Sequence, residues 1–176
     1  MEELFDLKNF DLYKEDNRRE VKKAKNGLPL SLWETYSAMA NTYGGVIILG
    51  IKEQANRNWK TTGLKVSDRE KLLDDFWNQM HNLQKVNVNL LDENDVKTYV
   101  VNEDLIILIY VPMAKREQKP VYINNDLFNG TFKRTHTGDY HCTKEQVKEM
   151  LRDQVEETMD MAMVEEMDRS EERRVG

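Results

Sequence analysis

At 176 residues, the chain has room for one domain with a substantial core. Its 39% apolar and 33% charged residues describe a soluble, polar protein, and no apolar run approaches the roughly 20 residues of a membrane-spanning helix. The net charge of -6 argues against nucleic acid until it is located: residues 153–176 hold nine acids against Arg169, Arg173 and Arg174, which is the whole excess, and residues 1–152 are balanced. The acidic start MEELFDLKNF lacks the basic and apolar segments of a secretory leader, and the single cysteine, Cys142, excludes an internal disulfide. A cytoplasmic protein with no membrane partner is expected.

In chain order, the first dozen residues read as a lead-in helix or arm. REVKKAK reads as a short strand with Glu20 and Lys22 on one face. Pro29 suits a helix start, and Leu32, Tyr36, Met39, Ala40 and Tyr43 follow helical spacing, which predicts an amphipathic helix over 30–43 closed by Gly44-Gly45. Asn41 is expected to cap that helix end locally. The branched run at 46–52 predicts a strand buried on both faces, with Gly50 admitting a close neighbour. QANRNWKTTGL is a hairpin or loop. A second helix is predicted over 67–83, with Ser67 as cap and Glu70 three residues on.

Residues 96–101 and 104–111, separated by Asn102-Glu103, predict an antiparallel hairpin that Pro112 ends. PVYIN and GTFKR are two further short strands. Thr143 and Gln146 form a capping box for a last helix that runs into the methionine- and acid-rich tail. The expected class is α+β: a mixed sheet of five or six strands with helices packed on it. The expected division is a body over 1–152 and a helical tail over 153–176.

Two motifs invite chemistry and fail. Gly45, Gly50 and Lys52 approach the phosphate-loop pattern, but Ile51 separates the second glycine from the lysine, and Glu53 stands where a magnesium-binding hydroxyl belongs. His136, His141 and Cys142 lie close together, yet structural zinc needs about four ligands. Trp33, Trp59 and Trp77 are read as packing residues rather than base-stacking platforms.

The order of pieces carries a family resemblance. E-V-K at 20–22, a helix ending A-N-T-x-G-G, then I-I-L-G-I-K-E, later V-P and P-V-Y, and finally G-T-F-K-R-T resemble the schlafen-like Alba-type domain over about residues 12–152. That family is described as DNA-binding, was once labelled a divergent AAA domain, and occurs in predicted bacterial transcriptional regulators, often ahead of a winged-helix region. Some schlafen members are RNA endonucleases with three carboxylates. By resemblance these map onto Glu15, Glu20 and Glu53, with Glu53 replacing the usual aspartate. Oxygen ligands of this kind suit Mg or Mn, the only cofactor the resemblance implies and only for a nuclease. Glu15 and Glu20 lie five apart, so a bend must bring them to one face.

Charge patterning supplies the other candidate site. The stretch 14–25 carries a local +3, as does 113–134, and Lys22, Lys23, Lys25, Arg116, Lys133 and Arg134 are the expected phosphate contacts. Three readings follow: a nucleic-acid (DNA) binding module of a transcriptional regulator, a metal-dependent nuclease using the three glutamates, or an assembly domain. For the last, Met150, Met159, Met161, Met163 and Met167 would make a homo-oligomer through the C-terminal helix.

Overall fold

The computed structural model describes residues 5–6, 8–9 and 13–175, and the expected lead-in arm lies mostly outside them. Among the described residues the chain forms eight strands and three α-helices. Four strands make a mixed sheet in the order β1 (Arg19–Lys22), β2 (Gly45–Leu49), β6 (Asp104–Val111), β5 (Val96–Val101). β1 and β2 run parallel through the crossover helix α1 (Ser31–Asn41), and the other two pairings are antiparallel. The remaining strands form two separate hairpins, β3 (Ile51–Glu53) with β4 (Trp59–Thr61) and β7 (Phe132–Thr135) with β8 (Gly138–His141). The class is α+β as expected, but the central sheet stops at four strands because the hairpins pair only within themselves.

The apolar run in β2 is buried along its whole length, so no amide there is bared for a phosphate. Alternation sends Ile47 and Leu49 to one face, where Leu32, Trp33, Tyr36 and Met39 of α1 and Phe76 of α2 (Arg69–Met80) pack on them. Val46 and Ile48 go to the other face and meet Val21, Ile106, Ile51 and Trp59. Each such side chain contributes roughly 1.5–3 kcal/mol on burial. The two tryptophans in these clusters are packing residues, Trp33 stacking on Phe76 with ring centroids 5.7 Å apart.

Gly50 interrupts the predicted strand 46–52 and divides it into β2 and β3. Its φ is +94°, and a Cβ there would stand 2.5 Å from the Leu105 carbonyl oxygen. Gly44, at φ +69°, ends α1 against the Val111 carbonyl in the same manner. The turn between β5 and β6 places Asn102 and Glu103 both at positive φ, as a two-residue hairpin turn of the primed type demands.

Three local expectations are corrected. α2 begins at Arg69 after a short 3-10 turn at Val66–Asp68, and no side chain caps it, so Ser67 is not the cap. Asn41 does not cap locally: its amide donates to the carbonyls of Val121 and Phe132 and accepts from the Val121 N–H, tying α1 to β7 from inside the core. PVYIN makes only isolated bridges, from Ile123 to Val86 and from Tyr122 to Thr131, because GTFKR pairs instead with β8. The last helix, α3 (Lys144–Val175), starts with the expected capping box: Thr143 N–H donates to Gln146 Oε1 at 2.9 Å, and Gln146 N–H to Thr143 Oγ1 at 3.1 Å. It continues unbroken past residue 153. No helix among the described residues is long and apolar enough to cross a membrane.

Candidate functional site

The bend required between Glu15 and Glu20 is present. Asp16 N–H donates to the Arg19 carbonyl at 3.1 Å, and Asp16 Oδ1 accepts from Arg18 N–H at 2.8 Å, closing a tight turn just before β1. The turn folds Glu15 back over the strand, where its Oε1 accepts the Val21 N–H at 3.1 Å. Glu15 N–H in turn donates to Glu53 Oε1 at 3.3 Å, and the Glu15 carboxyl shares a side-chain hydrogen bond with Glu20. Glu53, distant in sequence, thus joins Glu15 and Glu20 beside β1. Burial first, then the charges of Glu20 and Glu53, push the Glu15 carboxyl up from 4.5 to about 7, against the lowering effect of the Val21 N–H.

The cluster has its own cation. Arg134, on β7, has no exposed side-chain surface, and it donates to Glu20 Oε2 at 2.7 Å, to Asp139 Oδ1 at 2.8 Å, and to the carbonyls of Asp16 and Arg19 at 2.7 and 3.1 Å. Lys22 Nζ sits 3.8 Å from the other Glu20 oxygen. The fit to divalent ions is therefore poor. A metal needs free carboxylate oxygens turned to a common point, whereas one Glu20 oxygen is held by a guanidinium and one Glu15 oxygen by a backbone amide. Among the described residues no group of three His, Cys, Asp or Glu side chains is placed to hold a metal ion, the stretch with His136, His141 and Cys142 included.

The six expected phosphate contacts separate. Arg134 is corrected outright, since a buried guanidinium committed to two carboxylates cannot meet an external phosphate. Lys22 is mostly buried against Glu20. Lys133 Nζ donates to Gln146 Oε1 at 3.2 Å. Arg116 is exposed but lies 3.4–3.6 Å from Asp153, Glu156 and Glu157 of α3. Lys23 and Lys25 are both exposed and line one groove of about 440 Å³.

Two further lysines complete that groove, and the sequence reading missed them in this role. Lys52 and Lys60 face each other across β3 and β4, both exposed, with residues 61–63 at the floor and no acidic side chain in the lining. The hairpin is pinned against the sheet: Thr62 Oγ1 donates to the Lys23 carbonyl at 2.9 Å, Thr62 N–H to the Gly50 carbonyl at 2.9 Å, and Thr61 Oγ1 to Asp104 Oδ2 at 2.6 Å. None of the four lysines has an ion pair among the described residues. The available signal was the period of two in I-K-E and W-K-T, which puts both lysines on one side and Glu53 on the other. Lysine groove and glutamate cluster accordingly lie on opposite faces of the hairpin.

The chain belongs to the Schlafen, AlbA_2 family, whose family model matches residues 12–143. No curated protein matches the chain. Among solved structures it is similar to the N-terminal domain of an ATP-dependent DNA helicase RecG-related protein from Nitrosomonas europaea, at 27% identity and a TM-score of 0.55 over 78% of this chain and 90% of that one. It is also similar to the DIP2311 protein of Corynebacterium diphtheriae, at 21% identity and a TM-score of 0.50, a likeness of fold alone. The match takes in 78% of this chain but only 27% of that one.

Proposed function

We propose that this member of the Schlafen AlbA_2 family is a nucleic-acid-binding module, of the kind that serves a DNA-directed transcriptional regulator, and that it grips phosphates in the groove between Lys23, Lys25, Lys52 and Lys60. The observation that carries this reading is the convergence on one groove of four lysines with no ion pair among the described residues and no acid in the groove's lining. Like charges held together cost stability, and a polyanion that neutralises them recovers that cost while releasing counterions. The likeness to a domain of a RecG-related protein, named for DNA helicases, supports DNA as the polymer.

Cleavage receives less support. The glutamates meet, but Arg134 already holds one Glu20 oxygen, and the lysines that would bring a strand in face away from them. The test is a fluorescence-anisotropy titration of labelled DNA at low salt. The Lys52→Ala/Lys60→Ala variant is expected to bind about tenfold more weakly, by the same factor for every sequence, since phosphate contacts carry no base information. An unchanged affinity would remove the groove from the reading.

A further inference from the structure

A second cavity, of about 390 Å³, adjoins the lysine groove, and Lys25 lines both. The partition between them is thin. Lys23 and Gly63 belong to the groove, while their chain neighbours Ala24 and Leu64 belong to the cavity. On the far side stands α2, which presents Leu72, Asp75 and Gln79 along one face, with Asp68 just ahead of it. The spacing of four, three and four residues from 68 through 72 and 75 to 79 brings all four to that side of the helix.

The chemistry of the two spaces differs. The groove is cationic. The cavity is mostly polar: Leu28, Leu64 and Leu72 form part of its wall, Lys25, Lys71 and Asp68 add charge, and Asn26, Asp75 and Gln79 stand at its polar edge. Among the described residues, none of those three polar side chains has a hydrogen-bond partner within the protein, so their donors and acceptors are open to a ligand. Leucine side chains beside convergent amide and carboxylate groups, in a space of this volume, suit a small flat polar ring. Lys25 and Lys71 balance Asp68 and Asp75, so the cavity's lining carries no net charge while the groove's is cationic throughout, and phosphate is held more strongly in the groove.

We infer that groove and cavity form one composite site for an unpaired nucleotide of a bound single strand: the phosphates lie among the lysines, and the base enters the cavity beside α2. This rests on the reading that the groove binds nucleic-acid phosphates, and it adds a base-reading element. Carboxylate acceptors favour a base that bears an exocyclic amino group, such as adenine or cytosine, over thymine, whose one donor on that edge is the ring N3–H. A paired base has this edge already occupied, so duplex DNA gains nothing from the cavity.

The experiment is an anisotropy titration of the full chain with short oligo-dA, oligo-dC, oligo-dT and abasic single strands at one low salt concentration. Wild type is expected to bind oligo-dA or oligo-dC about five- to tenfold more tightly than oligo-dT or the abasic strand, in line with one good base contact. Asp75→Ala/Gln79→Ala, on a solvent-facing side of α2, should erase that preference without weakening binding of the abasic strand. Lys52→Ala/Lys60→Ala should weaken all four strands and keep the preference. Equal binding of all strands by wild type, with the lysine variant still weaker, would overturn the base cavity and leave the groove standing. No binding of any strand by wild type would overturn both.

Discussion

Arg134 Nη2 lies 2.7 Å from Glu20 Oε2, in an interior that leaves the guanidinium no exposed surface. The same side chain also holds Asp139 and the carbonyls of the Asp16–Arg19 turn, so one residue of β7 fixes how the chain enters β1. Arg134→Met would strand the Glu20 and Asp139 carboxylates in a low-dielectric site. The expected loss is about 3 kcal/mol or more, read from the midpoint of urea unfolding. Adding Glu20→Gln should recover part of it. A variant as stable as wild type would mean that the buried charges relax to water.

Glu15 makes the fold sensitive to pH. Its folded-state value of about 7 lies above the ordinary 4.5, so the native protein binds more protons than the unfolded chain between those limits. Stability through this group is therefore full below about pH 4.5, falls as pH rises toward 7, and is level above that. A fully buried group shifted this far would contribute about 3 kcal/mol; for one that water partly reaches, about 1–2 kcal/mol is expected. Glu15→Gln should be the more stable protein at pH 8 and should lose the slope between pH 5 and 7. A wild-type slope retained in the variant would assign the titration to another group.

Arg116 tests the tail. It is a cation held by Asp153, Glu156 and Glu157 on the surface, where such pairs contribute little to stability. Replacing the three acids by their amides should move the thermal midpoint hardly at all. DNA affinity at low salt should rise severalfold, with the gain fading as salt shortens the screening length. Removing residues 153–176 should do the same and should also lower any self-association through the exposed Val155, Met159 and Met163, read by light scattering. Weaker binding after either change would make the helix part of the binding surface.

Metal addition separates binding from cleavage. With a guanidinium already on Glu20, millimolar Mg or Mn should neither raise the thermal midpoint nor start cleavage of single-stranded RNA or DNA. Cleavage that depends on Mn and disappears in Glu53→Gln would restore the nuclease reading.

Local chemistry made much of the architecture legible. The β5–β6 hairpin was announced by a turn pair able to take positive φ, and the α3 start by a capping box spanning four residues. The glutamates were placed by family resemblance, and the need for a bend followed from strand alternation alone. What escaped depends on partners far away in sequence. Arg134 reads as a surface cation until Glu20, 114 residues earlier, is known to lie against it. Asn41 reads as a cap until Val121 is known to reach it. Lys52 and Lys60 become a pair only when the loop between them folds as a hairpin, and a groove only when β1 delivers Lys23 and Lys25 beside them.

The most direct measurement of the lysine groove is the salt dependence of single-strand binding. Each phosphate neutralised contributes about -0.7 to the slope of log affinity against log salt, so four lysines predict a slope of about -2 to -3. In Lys52→Ala/Lys60→Ala that slope should flatten by about 1 to 1.5, whatever the strand's sequence. Identical slopes for wild type and variant would contradict phosphate binding in the groove.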